Sequence, residues 1–185
     1  MKILFLDHDG VMCLSTEWGS RHTKQAKAKL SGTPMKELPV EVRFDNFNKK
    51  AVRTLNQILE VTGAEIVTSS DWRFHCTVEE MQAFFKTQGV SKSPIGFTDS
   101  LAKCQPELWK KIENFAQLEL ERALEVKNWL DNHPEVTHWV AVDDLDMSKT
   151  ILGADGLQNF VKTPSSDEGI KQCGVSDKIV KFLNK

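Results

Sequence analysis

Lys2-Ile3-Leu4-Phe5-Leu6-Asp7-His8-Asp9-Gly10-Val11 runs an unbroken apolar stretch straight into two aspartates one residue apart. The stretch has the length and continuity of a strand buried on both faces, the habit of strands in a parallel sheet. Paired carboxylates at the end of a buried strand need compensation. Like charges this close raise each other's cost of ionisation unless a cation lies between them. The stretch therefore marks a candidate cation site at the C-terminal tip of a strand, the edge at which open α/β sheets bind ligands.

Further strand-length apolar runs follow at residues 65–69, 95–98, 139–142 and 159–162, and helical patterns alternate with them. Residues 48–62 place Ala51, Leu55, Ile58 and Leu59 on one stripe, with Gly63 as a C-terminal stop. Thr77-Val78-Glu79-Glu80 reads as a capping box that opens a helix carrying Met81, Phe84 and Phe85. A longer helical region spans 106–130 with room for one break, and Ser176 is the expected cap of a last helix bearing Ile179, Val180, Phe182 and Leu183. The order β-α-β-α-β-α-β-β-α predicts an α/β, doubly wound, Rossmann-like parallel sheet with helices on both faces. A polar, lysine-rich segment interrupts the rhythm at 12–44 (Arg21, Lys24, Lys27, Lys29 and Lys36), and 103–121 leaves space for a second insert. Neither is long enough for a large cap. The whole chain, 1–185, fits one domain.

Composition narrows the function classes. The chain is 40% hydrophobic and 27% charged, with a formal net charge of -2. That balance exerts no global pull on nucleic acid or an anionic membrane, so a polyanion would need a local patch. No apolar run approaches a membrane span, and the first residues lack the pattern of a secretory leader. The four cysteines are far apart and form no CxxC pair. Zinc spacing is absent, and reduced thiols in a cytoplasmic protein are the expectation.

In a parallel sheet all strand C-termini share one edge. Three apolar strands then deliver Asp7 and Asp9, the hydroxyls Thr68-Ser69-Ser70, and the acids Asp143 and Asp144 to one place, with Arg122 on the helix before the last of them. Clustered carboxylates without histidine or cysteine suit a hard cation, with Mg²⁺ first. A carboxylate can attack phosphorus, a second acid can protonate the leaving oxygen, and hydroxyls and a guanidinium can hold the transferring group. Gly10 permits close backbone approach, and successive N–H groups there are expected to form an anion nest. Each feature alone has a plainer reading: Asp-Gly as a turn, Asp143-Asp144 as a cap, Ser69-Ser70 as a strand end, Arg122 as a solvated helix residue. Their order on three strand tips favours the chemical one. Trp72, Trp109, Trp129 and Trp139 read as core, Trp18 as a residue of the insert, His8 as a side-pointing spectator and Cys13 as packing.

Asp7-His8-Asp9-Gly10-Val11 resembles the first motif of the haloacid dehalogenase-like (HAD) superfamily, DxDG(T/V). Ser69 is similar to the second motif, Arg122 to the third and Asp143-Asp144 to the fourth, over residues 3–146. More narrowly, Ser69-Ser70-Asp71-Trp72-Arg73, Arg122 to Leu130 with Glu125 and Trp129, and Trp139 to Asp144 resemble the HAD domains of bacterial and phage RNA-repair-type proteins; Thr163 to Ile170 is similar to that group's late segment. The resemblance implies Asp7 as nucleophile and metal ligand. It implies Asp9 as general acid/base that offers its backbone carbonyl to the metal. Ser69, with Thr68 and Ser70 as rivals, would bind the phosphoryl group. Arg122, with Lys127 as rival, would stabilise the phosphoenzyme. Asp144, with Asp143 beside it, would hold Mg²⁺. Gly10, Ser70, Arg73 and Lys127 are the implied substrate-binding positions.

The function so implied is a Mg²⁺-dependent phosphomonoester hydrolase working through an aspartyl phosphate, on a phosphorylated nucleic-acid end or a nucleotide. A small-metabolite phosphatase and a non-catalytic or regulatory module of the same fold are the alternatives. A signalling receiver domain would place the acidic pair first and its phosphate acceptor on the third strand, an order this chain does not have.

Overall fold

The computed structural model describes residues 1–110, 118–149, 155–163 and 165–185. In chain order the elements are β1 (Lys2–Leu6), α1 (Ser20–Lys27), α2 (Val40–Arg43), α3 (Lys49–Thr62), β2 (Glu65–Thr68), α4 (Val78–Thr87), β3 (Gly96–Phe97), α5 (Leu101–Cys104), α6 (Pro106–Trp109), α7 (Leu118–Asp131), β4 (His138–Asp143), β5 (Phe160–Lys162) and α8 (Val175–Leu183). The five strands form one parallel sheet in the order β3-β2-β1-β4-β5. The first strand is thus central, flanked by β2 and β4, and the order reverses on either side of it. That crevice is where doubly wound sheets hold ligands.

β1 sorts its side chains by alternation. Leu4 and Leu6 enter a core with Ala51, Leu55 and Ile58 of α3, Met81 and Phe84 of α4, and Ile179 and Leu183 of α8. Ile3 and Phe5 enter a second core with Ala123, Val126 and Trp129 of α7. Phe5 meets the rings of Trp129 and Trp139 edge-on, at centroid distances of 5.3 and 6.1 Å. Both faces of the sheet are covered, which is why the strand is apolar without interruption.

Three differences from the expected elements have local causes. β4 runs one residue further than the apolar pattern, so Asp143 lies in the ladder opposite Lys162. Ser176 does not cap α8. The helix starts at Val175 after Gly174, whose φ of 80° makes the turn a side-chain cap would otherwise close. The 106–130 region is not one helix: α6 stops at Trp109, α7 begins at Leu118, and residues 111–117 of the expected second insert lie outside the described residues. The 12–44 segment holds α1 and α2 with two short 3₁₀ turns, and no large cap stands over the sheet edge among the described residues. Within it Lys24 is committed to structure: its Nζ donates to the Phe44 carbonyl (2.7 Å) and to Asn46 Oδ1 (3.0 Å).

The start of α3 is held by Asn48. Its Oδ1 accepts from the backbone N–H groups of Lys50 (2.9 Å) and Ala51 (3.3 Å), and its Nδ2 donates to Glu17 Oε1 (3.1 Å). One side chain therefore caps the helix and ties it to the segment after β1. Asn48→Ala is expected to cost about 1 kcal/mol of stability, the usual worth of an N-cap. Urea unfolding measures it, and a midpoint equal to wild type would show that the cap contributes nothing.

Candidate active site

Inter-strand hydrogen bonds continue past the strands at the C-terminal edge. Asp7 N–H donates to Val142 O (3.1 Å), Ser69 N–H to Leu6 O (3.0 Å) and Thr163 N–H to Asp143 O (2.9 Å). The tips of β2, β1, β4 and β5 are therefore one surface, and the side chains that follow them converge. Carboxylate oxygens of Asp7, Asp143 and Asp144 all lie within 4.8 Å of one another. Arg122, on α7, reaches into this group. Its Nη1 donates to Asp7 Oδ1 (3.2 Å), Asp143 Oδ2 (3.2 Å) and the Ser69 carbonyl (2.5 Å), and its Nη2 donates to Asp71 Oδ1 (2.9 Å).

Burial dominates the electrostatics. Asp7 is pushed up to about 6 by loss of water, with Asp144 adding to the shift and Arg122, Ser70 and the His8 backbone opposing it. Asp143 is raised well above the usual carboxylate range by burial and then by Asp7. Asp144 is raised by burial as well. Burial alone would lower Arg122, but Asp7, Asp143 and Asp71 hold it firmly charged. One guanidinium against three carboxylates leaves the cluster short of positive charge, and an oxygen-only donor set is what a hard divalent cation takes.

Asp9 is not in that cluster through its carboxylate. Its Oδ2 accepts from Trp72 Nε1 (2.8 Å), and the Cys13 thiol donates to the same group. Its carboxyl is raised by burial, with those two donors opposing. Trp72, expected as core, does both jobs. Its ring stacks on Phe44 at 4.7 Å while its N–H fixes Asp9. The signal available in the sequence was its place two residues after the hydroxyl run.

The hydroxyls divide. Ser70 hydrogen-bonds the Asp7 carboxylate. Ser69 and Thr68 are buried, and their hydroxyl oxygens have no partner among the described residues. The chain leaves β2 at Thr68, so strand alternation does not govern the two serines that follow. Of the basic rivals, Arg122 reaches Asp7, whereas Lys127 donates to the Asp155 carbonyl on the other side of α7. Arg73 is buried and paired with Glu125 at 2.6 Å, and Glu125 also accepts from Leu101 N–H (2.9 Å). Asp71 and Glu125 lie in stretches that carry the family resemblance but were assigned no role there; their pairing with Arg122 and Arg73 is a tertiary contact.

The expected anion nest after Asp9 is not open. Gly10 N–H donates to Cys13 O (3.0 Å), and the N–H groups of Val11, Met12 and Cys13 all donate to His8 O. Gly10 matters in another way. Its φ is 68°, and a Cβ there would fall on the Asp144 carboxylate. Thr163 Oγ1 donates to Gly10 O (3.1 Å), and Gly169 passes against the Val11 backbone, where Ile170 N–H donates to Val11 O (3.0 Å). The late segment thus clamps the loop that carries both aspartates.

His8 points away from the acids into a cage of Phe47, Trp72 and Phe85, at centroid distances of 4.9–5.5 Å. Both ring nitrogens lack partners among the described residues, and burial pushes its pKa from 6.5 down to about 3. A depressed histidine contributes stability that is present at neutral pH and lost as pH falls below 6.5 toward 3. The stability of wild type relative to His8→Leu should therefore decline with acidification at about 1.4 kcal/mol per pH unit across that window. Urea titrations of both proteins measure it, and pH-independent differences would mean His8 is not held neutral by burial.

No curated protein and no solved structure matches the chain. A family model does, and it spans residues 3–173, which take in Asp7, Asp9, the hydroxyl run, Arg122, both acids after β4 and the clamping late segment. The chain belongs to the family described as the HAD domain in Swiss Army Knife RNA repair proteins.

Proposed function

We propose that this protein is a Mg²⁺-dependent phosphomonoester hydrolase acting on phosphorylated nucleic-acid ends. The observation that carries the reading is the meeting of Asp7, Asp143 and Asp144 around Arg122, with a second, separately held carboxylate, Asp9, two residues along. Asp7, Asp143 and Asp144 are the residues that would hold Mg²⁺. When bound, the ion supplies positive charge that keeps these carboxylates ionised and offsets charge on the phosphoryl group.

The protein's own groups account for the rest. A carboxylate oxygen of Asp7 bonds to phosphorus as the ester bond to the leaving oxygen breaks. Asp9, whose carboxyl burial shifts toward the protonated form, gives its proton to the leaving oxygen. It then takes a proton from water as the water oxygen attacks phosphorus and releases Asp7 and phosphate. Trp72 keeps the Asp9 carboxylate in place through both steps. Arg122 balances charge beside Asp7, and Ser70 donates at the same carboxylate.

A bulky substrate is favoured by the absence of a large cap among the described residues and by the family's description. Its charge has a place to go. Lys49, Lys50 and Arg53, at the start of α3, line a cleft of about 720 Å³ with Asn48 and Lys171. Lys49, Lys50 and Arg53 are exposed and make no ion pair among the described residues. Such a group can follow phosphates beyond the reacting one.

Asp7→Asn should lower hydrolysis of a generic phosphate ester by about a thousandfold or more, since it removes the attacking group. Wild-type turnover in that variant would refute the assignment. Mg²⁺ at roughly 100 times its dissociation constant should stabilise the protein by about 2.7 kcal/mol in thermal melts at pH 7. Because Asp7 titrates near 6, protons compete below that pH and the gain should shrink there. Asp144→Asn should abolish it; an equal gain in that variant would remove Asp144 from the ligand set. With an end-phosphorylated oligonucleotide, kcat/KM should fall steeply between about 50 and 200 mM salt, while a mononucleotide changes little. A flat profile would count against a polyanionic substrate.

A further inference from the structure

A second cleft, of about 280 Å³, opens directly beside the acid cluster and shares Arg122 as its wall. Asp71, whose carboxylate binds Arg122 Nη2 at 2.9 Å, lines it too. The same guanidinium bonds Asp7, so the cleft begins one side chain away from the carboxylate proposed to attack phosphorus. Its other walls are unusual for a protein surface. Phe74, Trp109 and Leu118 are 50%, 40% and 37% exposed, and they account for three of the seven large apolar side chains that the described residues leave in solvent. Trp109, expected in the core, stands here instead.

Large apolar side chains gathered in one cleft next to a reactive centre indicate a ligand surface. Charge says which part of a ligand belongs there. Three acids, Asp71, Glu121 and Glu125, line the cleft against two arginines, Arg73 and Arg122, both already paired with carboxylates, and Asp71 is 72% exposed at its side chain. A phosphate would be repelled by the acids, whereas a flat ring with N–H donors is matched by aromatic faces and carboxylate oxygens together. Beneath Phe74 the Arg73 guanidinium lies 4.5 Å from the ring centroid, and its buried Nε and Nη1 have no partner among the described residues. The ring is thus backed by a cation, which holds it in position as a stacking face.

Resting on the phosphatase reading above, we infer that this cleft receives the nucleobase of the phosphate-bearing terminal nucleotide, stacked on Phe74 and Trp109 while its phosphate lies at Asp7. A base cannot be paired in a duplex and stacked in this cleft at once. The substrate end must therefore be single-stranded or frayed, and the cost of unpairing disfavours blunt duplex ends. The cationic cleft at α3 is left for the chain that follows.

The test compares short oligonucleotides bearing a terminal phosphate, at the 3′ or the 5′ end, on a normal or an abasic last nucleotide, with Mg²⁺ present. Wild type should prefer the base-bearing end by about tenfold in kcat/KM, the scale of one base–aromatic stack. Phe74→Ala and Trp109→Ala should each bring that ratio toward one, and Phe74→Tyr should restore it. Both side chains are exposed, at 50% and 40%, so loss of folding is not the expected result, and thermal melts verify it. A wild-type ratio near one, or a ratio unchanged in both alanine variants, would overturn the base site while leaving the phosphatase intact. Failure of wild type to hydrolyse any ester, β-glycerophosphate included, would overturn the phosphatase reading and this inference with it.

Discussion

Arg122 is placed where three carboxylates need it. Asp7 and Asp143, both buried, accept from its Nη1, and Asp71 accepts from its Nη2. Taking such charges out of water costs several kcal/mol per ion, and the arrangement survives because each is met by the guanidinium or by a backbone donor. Removing one partner of a buried pair of this kind costs about 3–5 kcal/mol. The position of α7 against the sheet is therefore set at two depths, by Val126 and Trp129 in the apolar core and by Arg122 at the rim. Glu125 extends the same helix face to Arg73, so one turn of α7 organises both the acid cluster and the segment after β2.

The loop after β1 depends on this edge in a different way. It must carry two carboxylates with different surroundings within three residues. His8 provides the separation. Its ring is drawn into the aromatic cage while its carbonyl gathers three N–H groups, which turns the chain sharply and sends Asp7 and Asp9 to different partners. Gly10 then passes the Asp144 carboxylate with no room for a side chain, and Thr163 and Gly169 close over the turn from the far end of the chain. Charge, aromatic packing and backbone closure each constrain one residue of Asp7-His8-Asp9-Gly10.

Much of this was legible in order of residues. The five strands were visible because a sheet covered on both faces requires short continuous apolar runs, and α3 and α4 because their caps and stripes are local. Asp7, Arg122, Asp143 and Asp144 could be assembled from the rule that parallel strands end on one edge. What escaped was every relation that depends on a side chain's direction after regular structure ends. The Ser70 hydrogen bond to Asp7 forms beyond the end of β2 at Thr68, where strand alternation gives no direction. Trp109 was read as apolar and therefore interior, but at the last position of α6 it is exposed beside the site. The backbone donors after Asp9, expected to face an anion, are spent within their own turn.

The sheet, the edge at which the acids meet and the chemical type of the cluster follow from the order of residues alone, because periodicity and residue chemistry are properties of the chain read in order. How the acids are shared out is set by the folded packing: Asp7 to Arg122 and Ser70, Asp9 to Trp72, and Glu125 to Arg73. The reason is physical. Partners of buried charges are chosen by which helix face and which turn come within hydrogen-bond reach, and that is settled by packing between segments more than fifty residues apart.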